Sequence, residues 1–333
     1  MSAIEPSGLA LFWAAVIGFA ILMYVSLDGF DLGVGILFGT TRDAALRDQM
    51  MAAISPFWDG NETWLVVVGA SLFGAFPMVY AVFLPAFYIP VLLLLALIFR
   101  GVAFEFRYGA GARALWDWGF FLGSTVAAFV QGAAVGAMIR GIPVTNGQYA
   151  GGFEWLRPLS VLTGIGLVLG YALLGACWLT MKSEGALRDW AWRRISRLAG
   201  AVLVVLGIAI IAAFIVRARM TGNLFLDRPW GLVFPGVGLL AMAGVFIGVR
   251  ERCDGVPFAM TAVFFLAAFL SLAVMFWPYM IPYTITVADA AAPEKSLSFL
   301  FWGAGVFVLP IIAIYTAVVY WVFRGKQRRA YGG

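Results

Sequence analysis

Phe57-Trp58-Asp59-Gly60-Asn61-Glu62-Thr63-Trp64 places two carboxylates between two tryptophans, immediately ahead of a long apolar run. An acid at the centre of a membrane helix costs roughly 2.5–3.5 kcal/mol on insertion scales, so an acid kept at membrane level is a functional candidate. The apolar run that follows is one of many. The chain is 63% hydrophobic and only 12% charged, about half the charged content of an ordinary soluble protein. This composition excludes a soluble enzyme and gives an all-α integral membrane protein.

Apolar windows long enough to span a bilayer fall near 8–27, 63–82, 84–104, 118–139, 159–181, 198–216, 230–249, 258–280 and 299–323. They predict nine transmembrane helices in a single membrane domain over 1–333. The loops between them are short, with the longest near 28–62, 140–158, 182–197 and 281–298. Pro77 and Pro85 flank the turn between the second and third windows. With nine spans, sixteen of the 22 basic residues fall on the side of the C-terminus. The positive-inside bias then puts the C-terminus in the cytoplasm and the N-terminus in the periplasm. The first window has no basic residue before it and reads as a span rather than a cleavable leader. The net charge of +5 follows from these loops and is no sign of nucleic-acid binding.

Six acids and two arginines gather at the cytoplasmic ends of the first four spans. Asp28 and Asp31 are three apart and share a helix face. Asp59 and Glu62 follow, then Arg100, Glu105 and Arg107 at the end of the third span, and Asp117 at the start of the fourth. A carboxylate-rich funnel of this kind suits proton or cation uptake, and a membrane arginine is expected to pair with a carboxylate. Blander readings stand beside this one. Asp59 and Glu62 have the spacing of a helix capping box. Trp58 and Trp64 fit an aromatic belt, Asp28 and Asp31 fit interfacial turn acids, and Arg107 fits a basic loop. The chain contains no histidine, so it offers no imidazole to a heme or metal, and no metal site is expected in it. Cys177 and Cys253 are placed too differently to expect a disulfide.

The motifs DGFDLGVG (28–35), PFWDGNETWL (56–65), FPMVYA (76–81), F-R-x-x-x-F-E-F-R (99–107), WDWGFFLGS (116–124) and LPIIAIYT (309–316) together resemble subunit II of the cytochrome bd-type quinol oxidases, including the cyanide-insensitive branch. The resemblance runs in order over nearly the whole chain. It implies two four-helix bundles, over 1–139 and 159–280, plus one peripheral helix over 299–323. It implies a bacterial cytoplasmic-membrane complex of aerobic respiration that oxidises quinol and reduces dioxygen to water. The partner, subunit I, would ligate two b-type hemes and a third of d or b type, and this chain would support its assembly. Some members add a small accessory subunit or hold a structural quinone in this subunit, whose pocket the sequence does not locate.

The resemblance carries a proton-path role onto Asp59; Glu62, Asp31 and Asp28 join it as proton-path candidates from the carboxylate-rich funnel. It carries assembly or heme-environment roles onto Asp31, Arg100 and Asp117. Trp58, Trp64, Arg100, Glu105 and Asp117 are expected to support the path by charge or contact. Two other functions use the same residues: a proton-coupled secondary transporter, and a purely structural subunit that stabilises its partner.

Overall fold

In the computed structural model, which describes residues 5–86, 88–107, 112–218 and 228–326, the first helix runs well past its apolar window. Helix α1 (Gly8–Phe38) starts at Ser7, whose hydroxyl accepts from the Ala10 amide at 3.2 Å. At 1.5 Å per residue it is about 46 Å long, more than the roughly 30 Å hydrocarbon core. Its last eleven residues, Asp28 to Phe38, are all buried. The predicted loop over 28–62 is therefore mostly helix: the end of α1, then α2 (Ala44–Ile54), N-capped by Asp43 through the amides of Ala45 and Leu46.

The second window is a broken span. Helix α3 (Trp58–Ala75) and α4 (Pro77–Ala86) meet at Phe76 with a bend of 119°. Pro77 cannot donate to the preceding turn. At the bend, the Ala75 carbonyl accepts from the Ala292 amide at 2.9 Å. Helices α5 (Tyr88–Phe106) and α6 (Arg113–Arg140) follow, and Gly141 ends α6 at φ 96°, a conformation that suits glycine.

A short hairpin, β1 (Val144–Thr145) with β2 (Gln148–Tyr149), precedes α7 (Pro158–Lys182). Then come α8 (Gly185–Ala218), α9 (Val233–Arg250) and α10 (Val256–Phe276). A second hairpin, β3 (Tyr279–Ile281) with β4 (Ile285–Thr286), leads through α11 (Val287–Ala290) to α12 (Glu294–Leu300). A π turn at Phe301–Gly305 joins α12 to α13 (Val308–Val322). Among the described residues, seven helices are long and apolar enough to cross a membrane, or eight with the bent pair α3–α4 counted as one span. Among the described residues the nine windows fall mostly on helices, but the second is broken at Phe76 and the end of the 258–280 window is turn and β3.

The core is centred where α1 meets α6 and α7. A Cβ on Gly33 would stand 1.8 Å from the Tyr171 carbonyl oxygen, and one on Gly175 would stand 2.5 Å from the Gly33 carbonyl carbon. The two backbones are in direct contact, the close approach small residues allow in membranes. Next to this crossing, Phe30 stacks on Trp178 at 3.9 Å, with Phe57, Phe258 and Tyr320 around them. This aromatic block fixes α1, the start of α3 and the end of α13 against each other.

Candidate functional site

Two ionic clusters stand at the end of the fold where α1, α5 and α13 finish and α3 and α6 begin. The inner cluster is built on Arg100. Its Nη1 donates to Asp28 Oδ1 at 2.8 Å and to Glu62 Oε1 at 2.9 Å. Arg100 is 1% exposed and Asp28 is 0% exposed, while the Glu62 side chain keeps 25%. The pair thus joins α5 to α1 and α3. Arginine carries its charge at any working pH, which makes it a permanent counter-ion in a place no water shell reaches.

Asp31 is also buried, one turn beyond Asp28 on α1. Its Oδ2 accepts from Asn61 Nδ2 at 2.7 Å, and Asn61 Oδ1 accepts from the Tyr320 hydroxyl at 3.1 Å. The cluster therefore gathers Asp28, Asp31 and Glu62 around one guanidinium. Asp28 Oδ2, Asp31 Oδ1 and Arg100 Nη2 are buried without a hydrogen-bond partner among the described residues. Unsatisfied buried polar atoms are costly, and here they face a group of acids with fewer cations than anions. Away from the acids the polar contacts continue for one layer: Gln131 Nε2 donates to the Tyr24 hydroxyl at 3.0 Å and Gln131 Oε1 accepts from Tyr171 at 2.8 Å.

Asp59 lies outside the buried part. It is exposed in the first turn of α3, one turn before Glu62 on the same face. The capping reading fails: α3 is N-capped by Phe57 with no side-chain hydrogen bond. Asp59 still faces the positive end of the helix dipole, which favours an anion. The two tryptophans are packed rather than displayed at a surface. Trp58 tilts against Phe104 at 5.1 Å and borders Gly101; Trp64 is buried edge-on to Phe19 at 5.6 Å.

The outer cluster holds α5, α6 and α2 together. Arg107 is buried and reaches Asp117 at 2.5 Å and Asp48 at 2.6 Å; Arg47 reaches Asp117 at 2.8 Å, and Arg113 pairs with Asp48. Arg107 is therefore no ordinary loop cation. Partial burial alone would raise the Asp48 carboxyl, but hydrogen bonds and charge from Arg107 and Arg113 outweigh it and hold Asp48 below the usual range. Asp117 belongs to this outer cluster, not to the inner one. Glu105 is exposed on α5 and contributes to neither.

The structure thus unites Asp28, Asp31, Glu62 and Arg100, sets Asp59 at their exposed margin and separates Asp117 and Glu105. Sequence reading missed Asn61, Tyr320 and Asp48 as site residues. Asn61 was visible as a polar residue between the two acids. Tyr320, 259 positions away, carried no local signal. The chain offers no imidazole to a heme, because it contains no histidine.

Comparisons with known proteins agree with this architecture. The chain is 29% identical to the cytochrome bd-I ubiquinol oxidase subunit 2 of Escherichia coli K12, covering 97% of this chain and 96% of that one. It is 30% identical to the cytochrome bd ubiquinol oxidase subunit 2 of Bacillus subtilis, covering 94% and 95%. A probable cytochrome oxidase subunit 2 of Haemophilus influenzae is 31% identical over 91% of each chain. The fold is shared with a chain of the bd oxidase from Geobacillus thermodenitrificans, with a TM-score of 0.78, 16% identity and coverage of 95% and 99%. Residues 9–323 match the family described as cytochrome bd terminal oxidase subunit II, and the chain belongs to that family.

Proposed function

We propose that this chain is the subunit of a quinol:oxygen oxidoreductase that carries cytoplasmic protons toward a heme-bearing subunit I, where dioxygen is reduced to water. The observation that carries the proposal is the convergence of Asp28 and Glu62 on Arg100, with Asp59 one turn outside them. The three acids form a graded series: Asp59 exposed, Glu62 one quarter exposed, Asp28 fully buried. A proton taken up at Asp59 passes to Glu62 on the same helix face, then to Asp28 across the α3–α1 contact. Arg100 does not relay the proton; it orients both acceptors and offsets their charge. Asp31 is the side branch, held by Asn61 and Tyr320.

The redox chemistry belongs to the partner. In family terms that partner holds two b-type hemes and a third of d or b type, and takes quinol near the outer face. Family membership also supports nine spans, arranged as four plus four with α12–α13 at the periphery. The exposed apolar faces of α13, including Ile311, Ile314, Val318 and Trp321, fit that outer place. The orientation with the acids toward the cytoplasm rests on the basic-residue count.

Replacing Asp59 by Asn in the intact complex tests the proposal. Oxygen reduction should fall by about tenfold or more, equivalent to ~1.4 kcal/mol of added barrier, with subunit I still assembled. Turnover at the wild-type rate would leave the chain with a stabilising role only. That second reading draws on the outer cluster, which ties three helices together and lies apart from the graded acids.

A further inference from the structure

The opposite end of the molecule carries a feature that the proton path does not use. A cavity of about 350 Å³ opens where α6 ends and α7 begins, beneath the β3–β4 hairpin. Arg140, the last residue of α6, and Arg157, the N-cap of α7, both line it. Its apolar walls include Ile142, Pro143 and Pro282, with Tyr283 beside them.

Neither arginine has a carboxylate ion pair among the described residues. Glu154 also lines the cavity; it accepts from the Gly152 amide at 3.0 Å and from the Tyr149 hydroxyl, and feels the charge of Arg157 without forming an ion pair with it. That leaves two guanidinium groups against one engaged acid. Basic residues are scarce at this end of the fold, only six in the chain by the span assignment above, and two of them meet here.

Helices α6 and α7 are long and apolar enough to span, so their ends at the cavity correspond to the level of lipid headgroups. Phe153 and Leu156, the sequence neighbours of the lining residues Glu154 and Arg157, are 64% and 51% exposed, so this loop is apolar as well as cationic. Guanidinium groups match phosphate oxygens in geometry and charge. The positive end of α7 adds to the attraction. We propose that this cavity binds the phosphate of an anionic membrane lipid, with Arg140 and Arg157 as the headgroup ligands and the acyl chains lying along α6 and α7.

Native mass spectrometry of the intact complex tests this. The complex is purified with either phosphatidylglycerol or phosphatidylcholine added, and with inorganic phosphate in a third arm. Phosphatidylglycerol should be retained by the wild type and by a Lys295→Gln control at the same end. Retention should weaken about tenfold or more in Arg140→Gln/Arg157→Gln, and partly recover in the double lysine variant, which keeps the charge. Equal retention in the glutamine variant would overturn the proposal. So would equal retention of phosphatidylcholine, or displacement of the lipid by inorganic phosphate at matching concentration, which would assign the site to a free anion.

Discussion

Arg100 and Asp28, 72 residues apart in sequence, form a fully buried ion pair, 2.8 Å long, between α5 and α1. A buried pair adds little net stability over an apolar replacement, but breaking it from one side strands a charge. Arg100→Met should therefore destabilise the subunit by roughly 3–5 kcal/mol, seen as loss of the assembled complex from membranes. Arg100→Met together with Asp28→Leu should recover much of the loss in assembly while leaving oxygen reduction impaired.

The α1–α7 crossing makes a steric prediction. Gly33→Ala would push a methyl to 1.8 Å from the Tyr171 carbonyl oxygen, so the helices must separate. Overpacking of this kind costs about 1–3 kcal/mol, and more where backbone blocks it. Gly69→Ala, where nothing lies within 4 Å, is the matched control. Thermal denaturation of the purified complex should show a clear drop for the first variant and none for the second.

Tyr320→Phe removes the hydroxyl that Asn61 Oδ1 accepts from. The expected loss is about 1 kcal/mol of stability, with assembly intact. Because Asn61 also orients Asp31, oxygen reduction should fall modestly. A variant that loses stability and keeps full turnover would place Asp31 outside the proton path.

The loop between α9 and α10 makes a pH prediction. Partial burial alone would raise the Asp254 carboxyl, but hydrogen bonds and charge from Arg188 and Lys326 outweigh it and hold Asp254 below the usual range. A carboxylate with a depressed folded value stabilises above its unfolded value, near 3.9, and that contribution is lost as pH falls through the folded value. Acidification below about pH 4 should therefore release the segment around Lys326 from Asp254, read as faster amide exchange there. Neutral pH should leave it protected. Asp254→Asn should show the fast exchange at all pH values and cost no more than about 1 kcal/mol, because the pair is partly exposed.

Much of this was legible in the sequence because charge inside apolar windows has few causes. Arg100 stood out on that ground, and Asp28, Asp31 and Glu62 stood out as acids at the edges of such windows; the four do meet. Pro77 and Pro85 read as flanking the turn between the second and third windows, whereas the bend falls at Phe76 inside the second window and Pro85 lies within α4. Composition could not show depth: Asp59 and Glu62 look alike in sequence, yet one is exposed and the other bonds to a buried arginine. Nor could it show long-range partners. Tyr320 lies in an apolar helix with other aromatics, and only the packing of α13 on Phe57 and Trp178 brings it to Asn61. Arg107 resembled a loop residue until α2, which the windows left out, supplied Asp48.

The central claim is that protons reach the partner subunit through the acids ordered by Arg100. Its most direct test is stopped-flow proton uptake, followed with a pH dye, as the reduced intact complex reacts with oxygen. In Asp59→Asn the uptake phase should slow by about tenfold or more, while oxygen binding keeps its wild-type rate. Uptake at the wild-type rate in a fully assembled Asp59→Asn complex would contradict the claim.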